Sequence, residues 1–467
     1  MPYKISLLTA CLAISSHSLA NAIDTAEQTK KTAPILLPVA ELPAELNSTP
    51  TVTNHEQQPF AQLNQAVLNK NVAQIEQLLP SYRQQHDADP ILIQYAEAVL
   101  LEKQGKLKTA IAAYRKIIAQ KPELTPIRYE LAKLLFEDQQ TEAAKAQFNK
   151  IKSNNPPAFV LQVSDAYLHA IQKRQKWQVD FGVNYVQEDN VNNASSAEYI
   201  ENTPFLKNKY MLPQSAQGVS YQLGVKRDFN LHNNHYLHLE TEVSGKHYWN
   251  NQDYSDVLSR TSIGYVQQAS NHRAAILPFY EKRWYATEPY KQSVGVRAEY
   301  TQWVTPNWQL SSAAEYSKNR YNDQEQLNGE NRFFSLTGVW LRNPKQYFYL
   351  GTDLNQERMQ VASYSSDSPN LRLGWGQEWP LGISTRAGVS VGKRTFKDTA
   401  VLGGLIPLLK VRQDKEYSAN LTLWKRDWHY WGITPKLTYV WRKVDSNIES
   451  MYSIQQGKFF MSFEKAF

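Results

Sequence analysis

The chain has 467 residues, of which 20% are charged, and a net charge of +7. Its mean hydropathy of −0.55 excludes a membrane protein built from many apolar helices. The charge excess is small for this length, so we expect no nucleic acid as a partner. The single cysteine, Cys11, lies near the N-terminus, and the rest of the chain therefore has no disulfide and no thiolate metal site.

Residues 1–22 have the pattern of a secretory signal peptide. A lysine precedes an apolar run over residues 5–14, and residues 20–22 (Ala-Asn-Ala) have the form of a cleavage site. Residues 8–11 also resemble a lipobox, so lipidation of the cysteine stays an alternative. The protein is exported in either case. Residues 23–58 are rich in Pro, Thr, Gln and Asn without a period, which predicts a disordered linker.

Residues 59–175 have a helical pattern with an internal repeat of 34 residues. Pairs of similar residues recur at this period: Ala98 and Ala132, Leu101 and Leu135, Ala110 and Ala144, Tyr114 and Phe148, Ile117 and Ile151, Pro122 and Pro156. Small residues where two helices touch, an aromatic residue between them and a proline after the second helix form the tetratricopeptide pattern. We predict a tetratricopeptide-repeat domain, with a degenerate hairpin near residues 60–88 and a closing helix at 159–174.

From residue 177 onward the period changes to the two-residue alternation of a β-strand. Phe181 and Val183 alternate with Gly182 and Asn184, and all 12 tryptophans of the chain lie in this region. The alternating segments are long enough to span a membrane when tilted. Tyr and Trp lie near their ends, as in an interfacial girdle. These features favour an outer-membrane barrel over a soluble sandwich, which would also show alternation.

Fourteen such segments follow one another, and short connections alternate with long ones. Residues 343–345 form a short connection, whereas 188–217 and 397–413 form long ones. Outer-membrane barrels have short periplasmic turns and long external loops, so both ends of the barrel are expected on the periplasmic side. We predict a 14-stranded antiparallel transmembrane β-barrel over residues 176–467, in the outer membrane, with the N-terminal domain in the periplasm.

The last residues resemble the signal by which outer-membrane barrels are recognised for assembly. The chain ends in a strand whose Phe463 and Phe467 share one face. Lys465 departs from the pattern because it lies on the same face, but close to the membrane interface its ammonium group can reach water. We therefore expect Phe463 and Phe467 to form the assembly signal.

No constellation of residues indicates catalysis. The Gly388–Gly392 segment matches G-x-S-x-G, but it lies inside an alternating strand, and a nucleophile elbow needs a turn between strand and helix. His232, His235 and His238 follow an extended strand and do not share a helical face. We expect no enzyme activity, no catalytic residue, no cofactor and no metal site.

The first helices of the two repeats supply the residues that line the concave groove in tetratricopeptide proteins. These residues include Tyr95, Glu102, Tyr129, Lys133 and Phe136, and Tyr95 and Tyr129 occupy equivalent positions. An exposed aromatic pair in such a groove is suited to capture of a peptide or protein. The alternative is that the two tyrosines pack against the closing helix or the rim of the barrel.

A signal peptide, a short tetratricopeptide module and a C-terminal 14-stranded barrel together resemble the surface lipoprotein assembly modulators (the Slam family). Two short segments, one after the first strand and one before the last, add Asp189, Asn190 and Asn192, and Ser446 and Asn447. The first segment is similar to that family's D-x-N-x-N-x-A pattern, although Glu188 stands where Asp is expected. The second is similar to the family's S-N-containing ending.

The resemblance implies a non-enzymatic outer-membrane translocator for surface lipoproteins or related secreted haem- and iron-binding proteins. It implies as partners a lipoprotein or haemophore client, the barrel assembly machinery and outer-membrane lipid. The alternative is an exopolysaccharide export porin with a tetratricopeptide scaffold. A lumen for an anionic polymer should be strongly basic, whereas residues 177–467 carry 32 Lys and Arg against 28 Asp and Glu, which disfavours this alternative.

Overall fold

The computed structural model describes residues 58–154, 156–200, 203–402, 406–428 and 433–466. The predicted signal peptide (1–22), the predicted linker up to residue 57, and Phe467 lie outside the described residues. Among the described residues, no helix is long and apolar enough to cross a membrane. A series of α-helices comes first in the described chain, and a series of β-strands follows.

The helices form consecutive antiparallel hairpins and one closing helix. Their bounds are α1 (Gln58–Leu68), α2 (Val72–Arg83), α3 (Pro90–Lys103), α4 (Leu107–Gln120), α5 (Thr125–Glu137), α6 (Thr141–Lys152) and α7 (Ala158–Arg174). Helices α3 to α6 are the two predicted repeats, α1 and α2 the degenerate hairpin, and α7 the closing helix. Ala98, Ala132, Tyr114 and Phe148 are each fully buried, as the repeat pattern requires.

Local signals in the sequence set the helix starts and the turns between them. The side chains of Asn71 and Asp89 cap α2 and α3 by accepting hydrogen bonds from backbone N–H groups. Three hairpin turns contain a residue with positive φ, namely Lys70 (49°), Gly105 (73°) and Gln139 (61°). Glycine adopts this conformation without a steric penalty, whereas for a residue with a side chain the conformation costs about 1–2 kcal/mol of conformational free energy. Surrounding packing must therefore hold Gln139 in place.

The strands close into a single antiparallel barrel in which each strand pairs with its sequence neighbours and β14 pairs with β1. Their bounds are β1 (Gln178–Glu188), β2 (Ala216–His232), β3 (His235–Tyr248), β4 (Asp256–Gln268), β5 (His272–Tyr285), β6 (Glu288–Thr305), β7 (Trp308–Tyr321), β8 (Gly329–Asn343), β9 (Gln346–Met359), β10 (Ser366–Glu378), β11 (Ile383–Leu402), β12 (Ile406–Lys425), β13 (Thr434–Ser446) and β14 (Ile454–Ala466). A short helix, α8 (Glu449–Tyr452), lies in the last loop. The predicted 14-stranded barrel is confirmed.

The structure differs most from the predicted strand ends at β11 and β12. The sequence predicts a long loop over residues 397–413, but β11 continues to Leu402 and β12 already begins at Ile406. Val401 pairs with Pro407, and Leu402 pairs with Ile406. The ladder between the two strands has two register shifts, one on each side of Thr399. The predicted loop is wrong because β-branched residues of the segment, such as Val401, Ile406 and Val411, favour a paired strand, in which backbone groups are hydrogen-bonded.

The barrel carries apolar side chains on its outer face and polar ones on its inner face. Phe181, Val294 and Val389 point outward and are 47%, 62% and 54% exposed. Ser293, next to Val294, points inward and is only 2% exposed. An outer apolar band around a polar interior is the pattern of a barrel that faces lipid.

The helical module contacts the barrel at the end where the short turns lie. Tyr236, near the start of β3, donates its hydroxyl hydrogen to the carbonyl of Gln139 and lies 2.9 Å from the hydroxyl of Thr141. The Tyr236 ring packs with Val266 and Leu277 on the inner wall. The turn between α5 and α6 is therefore held at the inner edge of the barrel mouth.

Candidate functional site

The aromatic pair predicted for the groove is packed within the helical module. Tyr95 is 7% exposed, and its ring meets Tyr114 edge-on with centroids 6.1 Å apart. Tyr129 is half-buried and meets Phe148 edge-on at 6.4 Å. The expected exposure is therefore wrong for Tyr95, because the aromatic residue of α4 fills the space behind it. Burial, together with the charges of nearby carboxylates, raises the pKa of Tyr95.

Phe136 is covered by the closing helix α7. The Tyr167 ring packs edge-on against it at 5.1 Å, and the Arg174 guanidinium lies 3.7 Å from the centre of the Phe136 ring. Burial at this position lowers the pKa of Arg174 to about 10. Phe136 therefore lies under the closing helix and does not line an open groove.

Glu102 and Lys133 belong to a charge network that joins three helical hairpins. Lys70 Nζ lies 2.8 Å from Glu102 and 2.6 Å from Glu130, while Lys133 Nζ lies 3.0 Å from Glu130. Tyr114 donates its hydroxyl hydrogen to Glu102 at 3.1 Å. Burial raises the pKa of Glu130, but the two ammonium groups outweigh this and hold it below its ordinary value. Client binding by the groove residues stays a prediction.

Two asparagines of the family-like segment after β1, Asn190 and Asn192, form hydrogen bonds within the first external loop. Asn190 both donates to the carbonyl of Ala194 at 2.8 Å and accepts from its N–H at 2.9 Å. Asn192 accepts from the N–H of Gln214 at 3.0 Å and donates to the carbonyl of Leu212 at 2.8 Å. Asn192 therefore joins the start of the loop to its end, and Asn190 holds a local turn beside it.

The segment before the last strand fastens the final loop to β12. Asn447 accepts from the N–H of Gln413 and donates to the carbonyl of Val411, each at 2.8 Å. The N–H of Ser446 donates to the hydroxyl of Ser453 at 3.0 Å across the same loop. Ser446 and Asn447 thus organise the external end of the barrel through backbone contacts.

Glu188, the residue that departs from the family pattern, is a buried junction between strands. Its two carboxylate oxygens lie 2.6 Å from Lys246 of β3 and 2.8 Å from Lys458 of β14. Reasoning from the sequence missed this role, because the partners are 58 and 270 residues away along the chain. The adjacent Asp189 is exposed in the loop. Glu188 therefore ties the first, third and last strands together.

Ion pairs line the inner wall of the barrel. Arg372 lies 2.6 Å from Asp353, and their side chains are 3% and 8% exposed. A larger connected cluster on β4 to β7 contains Arg260, Arg273, Glu281, Lys291, Arg297, Glu299 and Glu315. Because these basic side chains are paired with carboxylates, they do not form the basic track that an anionic polymer would need.

The G-x-S-x-G match has a structural explanation within β11. Ser390 Oγ lies 2.7 Å from the hydroxyl of Ser418 on β12. Gly388 makes room for the hydroxyl of Tyr349, which a Cβ atom at this position would meet at 2.8 Å. Neither contact brings a general base to the serine. Among the described residues, no group of His, Cys, Asp and Glu is arranged to hold a metal ion.

A tetratricopeptide module docked on one end of a 14-stranded barrel with an apolar outer face defines a two-part outer-membrane protein. The family model described as surface lipoprotein assembly modifier, N-terminal TPR repeats, matches residues 46–148. The model described as surface lipoprotein assembly modifier matches residues 177–467. The chain belongs to the surface lipoprotein assembly modifier family, as its resemblance to that family predicts.

Similar proteins occur in several Gram-negative bacteria. Surface lipoprotein assembly modifier 1 of Haemophilus influenzae is 35% identical over 411 residues, which cover 86% of this chain and 83% of the relative. The surface lipoprotein assembly modifier of Pasteurella multocida is 35% identical over 423 residues, with 86% and 81% covered. The hemophilin secretion modulator of Acinetobacter baumannii is 23% identical over 427 residues, with 86% and 84% covered.

Proposed function

We propose that this chain is an outer-membrane translocator for surface lipoproteins or secreted haem- or iron-binding proteins. The helical module captures the client in the periplasm, and the barrel passes it to the cell surface. Membership of the family supports the proposal, since relatives are named for surface lipoprotein assembly and for hemophilin secretion. No enzymatic step belongs to this function.

The observation that carries the proposal is the contact between the module and the barrel mouth. Tyr236 on the inner wall bonds to Gln139 and Thr141 at a turn of the repeats. A client held by the repeats is therefore kept beside the entrance, at a high effective concentration for the next step. A module tethered far from the mouth would lose this advantage.

The groove residues divide into contacts and supports in this proposal. Tyr129 and Lys133 are partly exposed and contact the client, whereas Tyr95, Glu102 and Phe136 are buried or nearly so and hold the helices in register. Capture by a surface rather than a deep pocket suits a protein client, because protein interfaces are broad.

Folding of the client outside the cell supplies the driving force in this proposal. A folded domain is stable by about 5–15 kcal/mol, so a client that folds after it emerges does not return through the barrel.

The barrel assembly machinery inserts the chain through its terminal strand, which includes Phe463. Outer-membrane lipid then covers the outward apolar side chains.

Labelling of surface proteins tests the proposal even when the client has not been identified. Cells that naturally make the chain, and cells from which its gene is deleted, are treated intact with a membrane-impermeant biotin reagent, and biotinylated proteins are identified by mass spectrometry. Deletion is expected to remove one or more lipoproteins or haem-binding proteins from the surface or the medium while they persist inside the cell. Loss of a surface polysaccharide with an unchanged set of proteins would contradict the proposal.

A further inference from the structure

One seam of the barrel is paired over less than half the length of its strands. β1 and β14 form five residue pairs, from Asp180 with Ala466 to Asn184 with Ser462. By contrast, β1 forms eleven pairs with β2, and β14 forms eleven pairs with β13. Among the residues that the structure describes, the ladder between β1 and β14 stops at Asn184. Residues 185–188 and 458–461 belong to these strands but do not pair with each other.

In this unpaired stretch, backbone groups of β1 and β14 face a gap between the two strands. The gap lies in the half of the barrel that is closer to the external loops. Strand residues direct their N–H and C=O groups alternately to the two sides, so each stretch offers groups to the gap. Next to lipid, each unsatisfied group costs several kcal/mol, which is why membrane barrels normally close completely. Tyr185 and Phe459 border the gap on the outer face and are 52% and 71% exposed.

Side-chain contacts close the gap at its external end. Lys458 lies 2.8 Å from Glu188, and Gln456 donates to the side chain of Asn193 at 2.8 Å. The five-pair ladder closes the other end. The gap is therefore a slot of defined length, and its external end is held by two contacts that can break without loss of any strand pairing.

We propose that the parted β1–β14 seam is a lateral opening that binds an extended segment of the client polypeptide as an added strand. The inference rests on the proposed function and names the route within it. The ligand is polypeptide main chain, because residues 185–188 and 458–461 present N–H and C=O groups in strand geometry on both sides. An acyl chain has no groups that satisfy them, so lipid alone does not fill the site.

The test ties the two strands together. Apart from Cys11 the chain has no cysteine, so introduced pairs react selectively. Gln187→Cys with Phe459→Cys spans the parted stretch, because continuation of the β1–β14 register would place these residues opposite each other beyond the last pair. Tyr439→Cys with Phe459→Cys is the matched control, because Tyr439 and Phe459 are a regular pair of the β13–β14 ladder. Both are treated in intact cells with a short bifunctional methanethiosulfonate reagent, which a reductant removes.

Surface biotinylation of the proteins that depend on the chain is the readout. The link across β1–β14 is expected to reduce their surface exposure to the level of cells without the chain, and reductant is expected to restore it. The link across β13–β14 is expected to leave it unchanged. Mass spectrometry confirms each link, and heat-modifiable migration on gels confirms that each barrel is folded.

The outcomes separate the inference from the proposed function. Unchanged surface exposure with the β1–β14 link in place overturns the lateral opening and leaves the translocator intact. Equal loss with both links also overturns it, because the effect is then not specific to this seam. No dependent surface protein in the unmodified cells contradicts the proposed function itself.

A photoreactive residue at Phe459 distinguishes polypeptide from lipid in the slot. It is expected to crosslink to a protein whose surface exposure depends on the chain, whereas the same residue at Val389 on another part of the outer face is not. Crosslinks to lipid alone at both positions would overturn strand binding at the seam.

Discussion

The helical module and the barrel place the same kinds of side chain in opposite positions. In the module, Tyr114 and Phe148 are fully buried and most charges face water. In the barrel, Val389 faces outward and the Arg372–Asp353 pair is inside. The difference shows that the chain contains two sequence patterns. A 34-residue repeat buries apolar residues in a module that is surrounded by water, and a two-residue alternation turns them outward in a barrel that is surrounded by lipid. Substitutions can therefore disrupt either region without the other.

Removal of residues 58–176 is expected to have the largest effect, because it takes away one region and leaves the other. The strands close on themselves, so the barrel is expected to assemble and to migrate as a heat-modifiable species. Surface exposure of the dependent proteins is expected to fall to that of cells without the chain. Undiminished exposure would show that the module does not capture the client.

Loss of a charge from the buried network is expected to destabilise the module strongly. Glu102→Ala leaves Lys70 without one of its carboxylates and is expected to lower the free energy of unfolding by about 3–5 kcal/mol. Glu97→Ala on the same helix is the control. It removes an exposed pair with Arg83 and is expected to cost less than about 1 kcal/mol.

Circular dichroism at the helical band of the purified full chain measures this difference. Tryptophan fluorescence follows the barrel separately, because all tryptophans lie at or after Trp177. Equal losses for the two alanine variants would mean that the network does not hold the hairpins together.

An added charge is expected to destabilise the barrel more on its outer face than on its inner face. Val389→Lys places an ammonium group on the lipid side and is expected to cost about 2–4 kcal/mol near the middle of the membrane. Ser390→Lys, one residue later, faces the polar interior and is expected to cost less. The urea concentration at which heat-modifiable migration is lost measures both. A larger cost for Ser390→Lys would contradict the assigned faces.

The sequence predicts the features that depend on residues close together in the chain. Alternation and turn residues, which are local signals, predict strands at 235–248, 256–268, 272–285 and 308–321, and these are β3, β4, β5 and β7. The β11–β12 hairpin escapes prediction because an apolar strand end without clear alternation resembles a loop. The burial of Tyr95 and the gap between β1 and β14 depend on distant residues, and no local pattern contains them.

The residues of the candidate site divide in the same way, into those that a local motif reveals and those that depend on distant partners. Asn190, Asn192 and Asn447 could be singled out because short motifs contain them, and the structure adds their backbone partners. Glu188 could be noticed only as a departure from a motif. Its role requires Lys458, which lies on the last strand.

The smallest effect is expected at the turn that joins the two regions. Gln139 has φ of 61°, whereas Gly105 has φ of 73° at the equivalent position of the preceding repeat. Gln139→Gly is expected to stabilise the module by about 1 kcal/mol, because it removes left-handed strain. Gly105→Gln is expected to destabilise it by a similar amount. Thermal melting of the helical signal measures both, and destabilisation by Gln139→Gly would contradict the argument from strain.

The proposed transport has a direction, since clients enter beside the helical module and leave at the opposite end of the barrel. Single cysteines at Phe205 in the first long loop and at Pro344 in a short turn report the two ends. Intact cells are treated with a membrane-impermeant thiol reagent, in a chain whose Cys11 is replaced by serine. Labelling at position 205 and none at 344 is predicted. Labelling at 344 and none at 205 would place the helical module outside the cell and contradict this direction of transport.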